Sequence, residues 1–421
     1  MFTGTISFIK GFIYSVLLGL ILWSFQPCTG ITCYSGSFGL VNCLFIRDYL
    51  SFVMIILTVS IMWLFVVMGL ASMALYISMI SAIVVYVVNN ALLFWFFYEL
   101  SIVCALYMLF KESLYPERYN AGWYMGGYIL LSGVPLLVCI LIVSVTEGSF
   151  SILTWGSDSS SLSLVYLVMV VMFCTKIPLI PFHSWLPIVH AEASSPVSII
   201  LSGYIMKLGL LGVIRVCGNW VWKLGFMEIC EFIFLLSLVF LIWAYYEIDS
   251  KRWLAVLSLS HIMIGVILLV YGCYDVNLLA YTFCLGHGYS VCGMFLLIWL
   301  GYECVGSRSW AILASFCSVV PLVQVLSVLI FMGVSSFPPT LQFFSEVMLV
   351  WCSLVSGGDS LLMLIVCLYL FGSSLVGLMV LGFVIVYLFD HSWIVNYNYY
   401  TSLSVGVIYV SIMMLMIFIM V

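Results

Sequence analysis

Apolar runs, most of them roughly 18 to 28 residues long, follow one another along the chain near 6–25, 49–70, 72–89, 91–111, 121–145, 163–190, 195–217, 229–246, 252–272, 276–300, 312–355, 360–388 and 401–420. A bilayer core about 30 Å thick takes roughly 20 helical residues to cross, so runs of this length read as membrane spans. A membrane strand would need only about ten residues with alternating polarity, and that alternation is missing. Composition closes off a water-soluble alternative: 66% of the residues are hydrophobic, 6% are charged and the mean hydropathy is +1.32. The expected fold is an all-α polytopic membrane protein with about 13 transmembrane helices, within the range of about twelve to fourteen that 421 residues allow.

A net charge of −5 and the lack of any basic run argue against nucleic acid as a partner. The fifteen cysteines lie mostly inside apolar runs and form no CxxC pair, so they read as buried thiols, with no metal or disulfide framework. No GxGxxG follows a strand, no GxxxxGK[ST] is present, and no Cys or His spacing suits haem or iron–sulfur ligation. Dinucleotide, nucleotide-phosphate, haem and iron–sulfur chemistry is therefore not expected on this chain. The first run carries Lys10 but no small-residue cleavage site, and reads as a retained span.

Against this background four ionisable residues stand out inside apolar runs: Glu99 in FWFFYELSIV, Lys176 in FCTKIPLIPFHSWLP, Lys207 in LSGYIMKLGLLGVI and Glu346 in FFSEVMLVW. A central Lys or Arg costs about 2.5 to 3.5 kcal/mol on insertion scales, so such residues mark charge pathways more often than packing. Two of the overlong runs also carry prolines near the middle: Pro178, Pro181 and Pro187 in 163–190, and Pro338 and Pro339 in 312–355. Proline removes a backbone donor and ends a helix, so both runs are expected to be broken helices. The breaks share the pattern PxxxFxS, as Pro178, Phe182 and Ser184 and again as Pro339, Phe343 and Ser345. Lys176 precedes the first break and Glu346 follows the second.

A desolvated ammonium beside a carboxylate keeps its proton, and when the contact loosens the charge becomes costly and the proton can move on. Glu99, Lys176 and Lys207 are candidates for such a relay. Each has a plainer reading as well: a structural ion pair or a snorkelling lysine, or, for Glu99 and Glu346, interhelical hydrogen bonding. His183, His190 and His261 read as structural at least as readily as functional, and His287 has the plainer reading of a satisfied histidine between the close-packing Gly286 and Gly288. Glu192 and Arg215 read as span-end caps or subunit contacts, and Asp249, Lys251 and Arg252 as a loop cluster that sets topology. With thirteen spans, Lys10, Lys111, Arg118, Lys251, Arg252 and Arg308 fall on one side and Arg47, Arg215 and Lys223 on the other, placing the N-terminus on the positive side.

Five segments carry a resemblance: YPERYNAG at 115–122, KIPLIPFHSWLPIVHAEASSPVSIILSGYIMKLGLLGVIR at 176–215, LSLSHIM at 257–263, GHGYSVCGMFLLIWLGYECVGSR at 286–308 and FPPTLQFFSE at 337–346. Across about residues 72–355 the chain resembles the subunit 4 family of the mitochondrial proton-pumping NADH:ubiquinone oxidoreductase, respiratory complex I. Subunits 2 and 5 and the multi-subunit cation/proton antiporters share the lysine-bearing broken helix, but PERYNAG and FPPTLQFFSE are closer to subunit 4.

The resemblance implies two inverted five-helix repeats, each with one broken helix: 72–217, broken within 163–190, and 229–388, broken within 312–355. Residues 1–71 would then form N-terminal helices outside the repeats, and 401–421 a C-terminal helix. By motif it further implies that Glu99 partners Lys176, that Lys207 is the next relay lysine, that His287 joins a central polar axis and that Glu346 is the terminal acid. His261 matches a family histidine. No cofactor is implied on this chain; NAD, FMN, iron–sulfur clusters and ubiquinone belong to other subunits. The implied partners are the neighbouring antiporter-like subunits 2 and 5, accessory subunits and phospholipids such as cardiolipin, in the mitochondrial inner membrane. The chain departs from the pattern by reading one helix short at its N-terminus, which would put that end on the matrix side, and by the stretch 26–48, which matches nothing in the family. A cation/proton antiporter component and a non-conducting assembly subunit are the competing readings.

Overall fold

The computed structural model describes residues 45–46, 48–70, 72–113, 116–155, 162–221, 226–271, 277–310, 312–313, 321–338, 340–355 and 360–386. The expected spans near 6–25 and 401–420, most of the stretch 26–48, and Pro339 lie outside these residues.

Inside a bilayer every backbone N–H and C=O must find its partner within the protein, and a helix satisfies this locally. The described chain accordingly runs as α1 (Tyr49–Val67), α2 (Met73–Val87), α3 (Ala91–Glu112), α4 (Arg118–Glu147), α5 (Ser163–Lys176), α6 (Trp185–Glu192), α7 (Ser195–Ile200), α8 (Met206–Val221), α9 (Phe226–Tyr246), α10 (Ser250–Tyr271), α11 (Asn277–Val305), α12 (Pro321–Val334), α13 (Leu341–Val355) and α14 (Ser360–Val386). Eight helical segments among the described residues are long and apolar enough to cross a membrane. The run 163–190 is split into α5 and α6, with Pro178 and Pro181 in the gap and Pro187 inside α6, and the run 312–355 yields α12 and α13, with Pro338 in the gap. Between α7 and α8 the helix widens into a π-helical turn, Leu201–Ile205, just ahead of Lys207.

The described chain divides into two compact units. The first draws on Met1–Met108, Met125–Ile177 and Tyr204–Leu224, the second on Leu109–Tyr124, Pro178–Gly203 and Gly225–Val421. In the first, α5 packs on α8 and α1 on α2. Glycine makes the α5–α8 approach possible: a Cβ on Gly212 would sit 2.3 Å from the Phe173 ring, and one on Gly209 would sit 2.7 Å from Ile177 Cγ1. Asp48 caps α1 reciprocally with Ser51, and its Oδ1 also accepts from Arg215 Nη2 at 2.7 Å. Arg215 is thereby tied to the start of another helix by a charge pair with its capping residue.

In the second unit α10 and α11 form the centre. The apolar window of α10 is 94% buried and that of α11 100%, against 33% for α9, which packs on α10 from outside. The structure corrects one reading here. Lys251 is no loop charge, because it sits in the first turn of α10, almost fully buried, and its Nζ donates to Ala193 O at 2.9 Å. Arg308 Nη1 donates to Ala191 O, and the Ser113 hydroxyl to Glu192 O. Three side chains thus satisfy consecutive carbonyls at the C-terminal end of α6, where helical partners run out and the negative end of the helix dipole favours cations.

Candidate functional site

Lys176 is the last residue of α5, because the backbone cannot carry a regular helix into Pro178. Its ammonium therefore lies at a helix C-terminus, where the peptide dipoles favour positive charge. From α3, Glu99 reaches the same point, and Nζ stands 3.3 Å from Glu99 Oε2 with the two side chains 5% and 12% exposed. The ring of Tyr98 lies 5.6 Å from Nζ. Phe94 and Phe173 close round Tyr98 at 5.9 Å from its centroid, stacked and edge-on respectively. On the far side a Cβ on Gly133 would lie 3.0 Å from the Glu99 carboxyl, a tight contact that the glycine avoids. Glu99 Oε1 has no hydrogen-bond partner among the described residues.

Lys207 occupies the first turn of α8, 1% exposed, on the helix that packs against α5. The π turn before it is pinned by Tyr204: the Ser78 hydroxyl gives its hydrogen to Ser101 O at 2.8 Å, so Tyr204 Oη, at 2.7 Å, is the donor to Ser78 Oγ. His190, at the end of α6, places Nε2 3.0 Å from Ser202 Oγ and stacks on Phe295.

A second polar cluster lies wholly within the second unit. Glu346 on α13, His261 on α10 and His287 on α11 are each nearly fully buried. His261 Nδ1 is 3.9 Å from Glu346 Oε1, and the two imidazole centroids are 5.8 Å apart. His287 stacks on Phe283. Residues that the sequence did not single out knit the cluster together. Ser336 donates to Glu346 Oε1 at 2.7 Å, Gln342 Nε2 stands 2.8 Å from His261 Nδ1 and 3.3 Å from Glu346 Oε1, and Tyr369 Oη lies 2.6 Å from His261 Nδ1. Gln342 had a legible signal, since it stands one helical turn before Glu346 on the same face. Tyr369 had none, because it comes from a separate helix 23 positions further along the chain.

Ser336 is held where it is by the end of α12. Phe337 N donates to Met332 O and Ser336 N to Gly333 O, the paired bonds of a Schellman cap, with Ser336 in the left-handed region at φ 55°. Glycine usually fills that place; here a serine does, and its hydroxyl serves Glu346.

The geometry thus groups Glu99 with Lys176 in the first unit, where Lys207 also lies, and His261, His287 and Glu346 in the second. Among the described residues no group of three or more His, Cys, Asp or Glu side chains is placed to hold a metal ion. Both clusters consist of groups that gain and lose protons, surrounded by apolar and aromatic side chains.

A family model for the transmembrane region of NADH:quinone oxidoreductases and Mrp antiporters matches residues 88–372. NADH-ubiquinone oxidoreductase chain 4 of Ceratitis capitata is 28% identical over 375 residues, covering 83% of this chain and 75% of that one. The chain 4 of Aedes aegypti is 28% identical over 62% of this chain and 60% of its own length. In fold, the chain is similar to one in respiratory complex I from Thermus thermophilus, with a TM-score of 0.82 at 18% identity over 96% of this chain and 89% of that one. It is also similar to one in the Mrp complex from Dietzia, with a TM-score of 0.76 at 15% identity over 88% and 80%. Since the model spans more than half of the chain and its region contains Glu99, Lys176, Lys207, His261, His287 and Glu346, the protein belongs to the NADH:quinone oxidoreductase/Mrp antiporter membrane family.

Proposed function

We propose that the chain is a proton-translocating membrane-arm subunit of a respiratory NADH:ubiquinone oxidoreductase, in the mitochondrial inner membrane. The observation that carries the proposal is the Lys176–Glu99 pair, a single 3.3 Å contact between two buried charges at the end of a broken helix. Such a pair is a two-state element: closed, it holds the proton on Lys176; opened, it leaves an ammonium with little solvation, and the proton transfers to a neighbouring group. Lys207 is the next site in the first unit, and His261, His287 and Glu346 supply further sites in the second. The two inverted five-helix repeats, 72–217 and 229–388, are the frame this reading adopts, and the like-patterned proline breaks support it. NAD, FMN, iron–sulfur clusters and ubiquinone are assigned to other subunits, so the chain would be driven by redox chemistry elsewhere. Neighbouring antiporter-like subunits 2 and 5, accessory subunits and phospholipids are its proposed surroundings.

A cation/proton antiporter component is the second reading, favoured by the likeness to the Mrp complex. The chain 4 relatives favour the oxidoreductase. The test is proton uptake coupled to NADH oxidation in vesicles holding the assembled complex with Lys176→Ala, compared with the unaltered complex at equal assembly. The expected result is loss of pumping together with slowed oxidation; unchanged pumping at normal turnover would remove Lys176 from the relay. Sodium- or potassium-dependent proton exchange without NADH would favour the antiporter.

A further inference from the structure

The Gln342 side chain lies between His261 and Glu346, and its orientation follows from chemistry. Were the amide turned round, its oxygen would face Glu346 Oε1, which already accepts from the Ser336 hydroxyl; as placed, Nε2 faces both His261 Nδ1 and Glu346 Oε1, and Oε1 lies 3.2 Å from Ser290 Oγ, whose hydrogen is shared with His287 O at 3.0 Å. The two amide hydrogens are thereby spent, one on each partner. His261 Nδ1 is then the acceptor, facing Gln342 Nε2 at 2.8 Å and the Tyr369 hydroxyl at 2.6 Å, and the ring proton belongs on Nε2. Glu346 Oε1 already takes hydrogens from Gln342 and Ser336, so an acid proton belongs on Oε2. Those two atoms, His261 Nε2 and Glu346 Oε2, are buried and without a hydrogen-bond partner among the described residues.

Building on the proton-translocating reading above, we infer that Gln342 selects the proton-carrying atoms of this pair, closing the direct Nδ1–Oε1 path and sending protons through His261 Nε2 and Glu346 Oε2. At 3.9 Å the two facing atoms are too far apart for a hydrogen bond, and what joins them is an amide, which donates hydrogen bonds but does not readily release a proton. Gln342 is thus a positioning residue and an insulator. A close helix crossing holds it in place: a Cβ on Gly286 of α11 would lie 2.9 Å from Gln342 N.

The test compares the assembled complex in sealed vesicles carrying Gln342→Met, Gln342→Glu or Glu346→Gln with the unaltered complex, reading protons moved per NADH oxidised and the infrared carboxyl band. Gln342→Met removes both amide bonds at similar volume, and Gln342→Glu sets a titratable group in the direct path. The expected result is a loss of protons per NADH in both Gln342 variants while NADH oxidation continues, with the band that vanishes in Glu346→Gln displaced in Gln342→Met. An unmoved band and an unchanged proton yield in the Gln342 variants, alongside a reduced yield in Glu346→Gln, would overturn the inference and leave the relay standing. An unchanged yield in Glu346→Gln would overturn the relay itself. If Gln342→Met fails to assemble, the yield of the near-isosteric Gln342→Glu decides the matter.

Discussion

At the end of α5 the buried charge of Lys176 meets one opposite charge, Glu99, 3.3 Å away, whereas beyond α12 the Glu346 carboxyl meets a hydroxyl and an amide, with His261 Nδ1 3.9 Å off. The first arrangement depends on a single contact between full charges. The second spreads its hydrogen bonds over Ser336, Gln342 and Tyr369, drawn from three places in the chain. A lone buried pair is the more switchable of the two, because opening one contact exposes the whole desolvation cost. A shared network holds its members in fixed orientations and yields by degrees when one member is lost.

The strongest way to break this contrast is Glu99→Ala, which strands the Lys176 ammonium. The expected destabilisation is about 3 to 5 kcal/mol, read as a lower melting temperature of the assembled complex. Adding Lys176→Met should recover much of that loss, and a double-mutant cycle showing no coupling would mean that the 3.3 Å contact contributes nothing. The next largest effect tests the packing under the pair. Gly212→Ala forces a methyl into the Phe173 ring, and the expected cost is about 1 to 3 kcal/mol, with Gly218→Ala, where no atom lies within 4 Å of the added carbon, as the silent control.

The smallest effect sharpens the other side. Ser336→Ala loses the bond to Glu346 but keeps a Cβ at positive φ, while Ser336→Gly loses the same bond and relieves that strain, worth about 1 kcal/mol. Ser336→Gly should therefore melt above Ser336→Ala in the assembled complex. The reverse order would mean that the cap at 332–337 carries no strain.

Much of the architecture was legible in the chain. Apolar runs of membrane-spanning length had to become helices, and prolines at 178, 181 and 338 had to interrupt them, because both consequences follow from backbone hydrogen bonding within a few residues of the cause. Lys176, Lys207, Glu99 and Glu346 declared themselves by being charged where charge is costly. The neutral members of the second cluster gave no such signal: Gln342, Ser336 and Tyr369 carry no charge, serine and tyrosine recur throughout the chain, and Gln342, one of three glutamines, was legible only through its place one turn before Glu346. Lys251 misled for the opposite reason. It stands beside Asp249 and Arg252 in a short polar segment, and only the return of α6 to its side turns it from a loop charge into a buried carbonyl donor.

What the sequence by itself determined was therefore local and compositional: an all-helical membrane protein, the positions of its breaks and the charged residues that need an explanation. What only the tertiary structure decided was partnership. Glu99 and Lys176 are 77 positions apart, Gln342 and His261 are 81, and Tyr369 and His261 are 108. Contacts at such separations depend on which helix faces pack together, down to the glycines that let them close, and periodicity along one helix does not specify the face of another. The physical reason is range: backbone hydrogen bonding and hydrophobicity act on a residue through its neighbours in the chain, whereas proton-carrying groups work through neighbours in space.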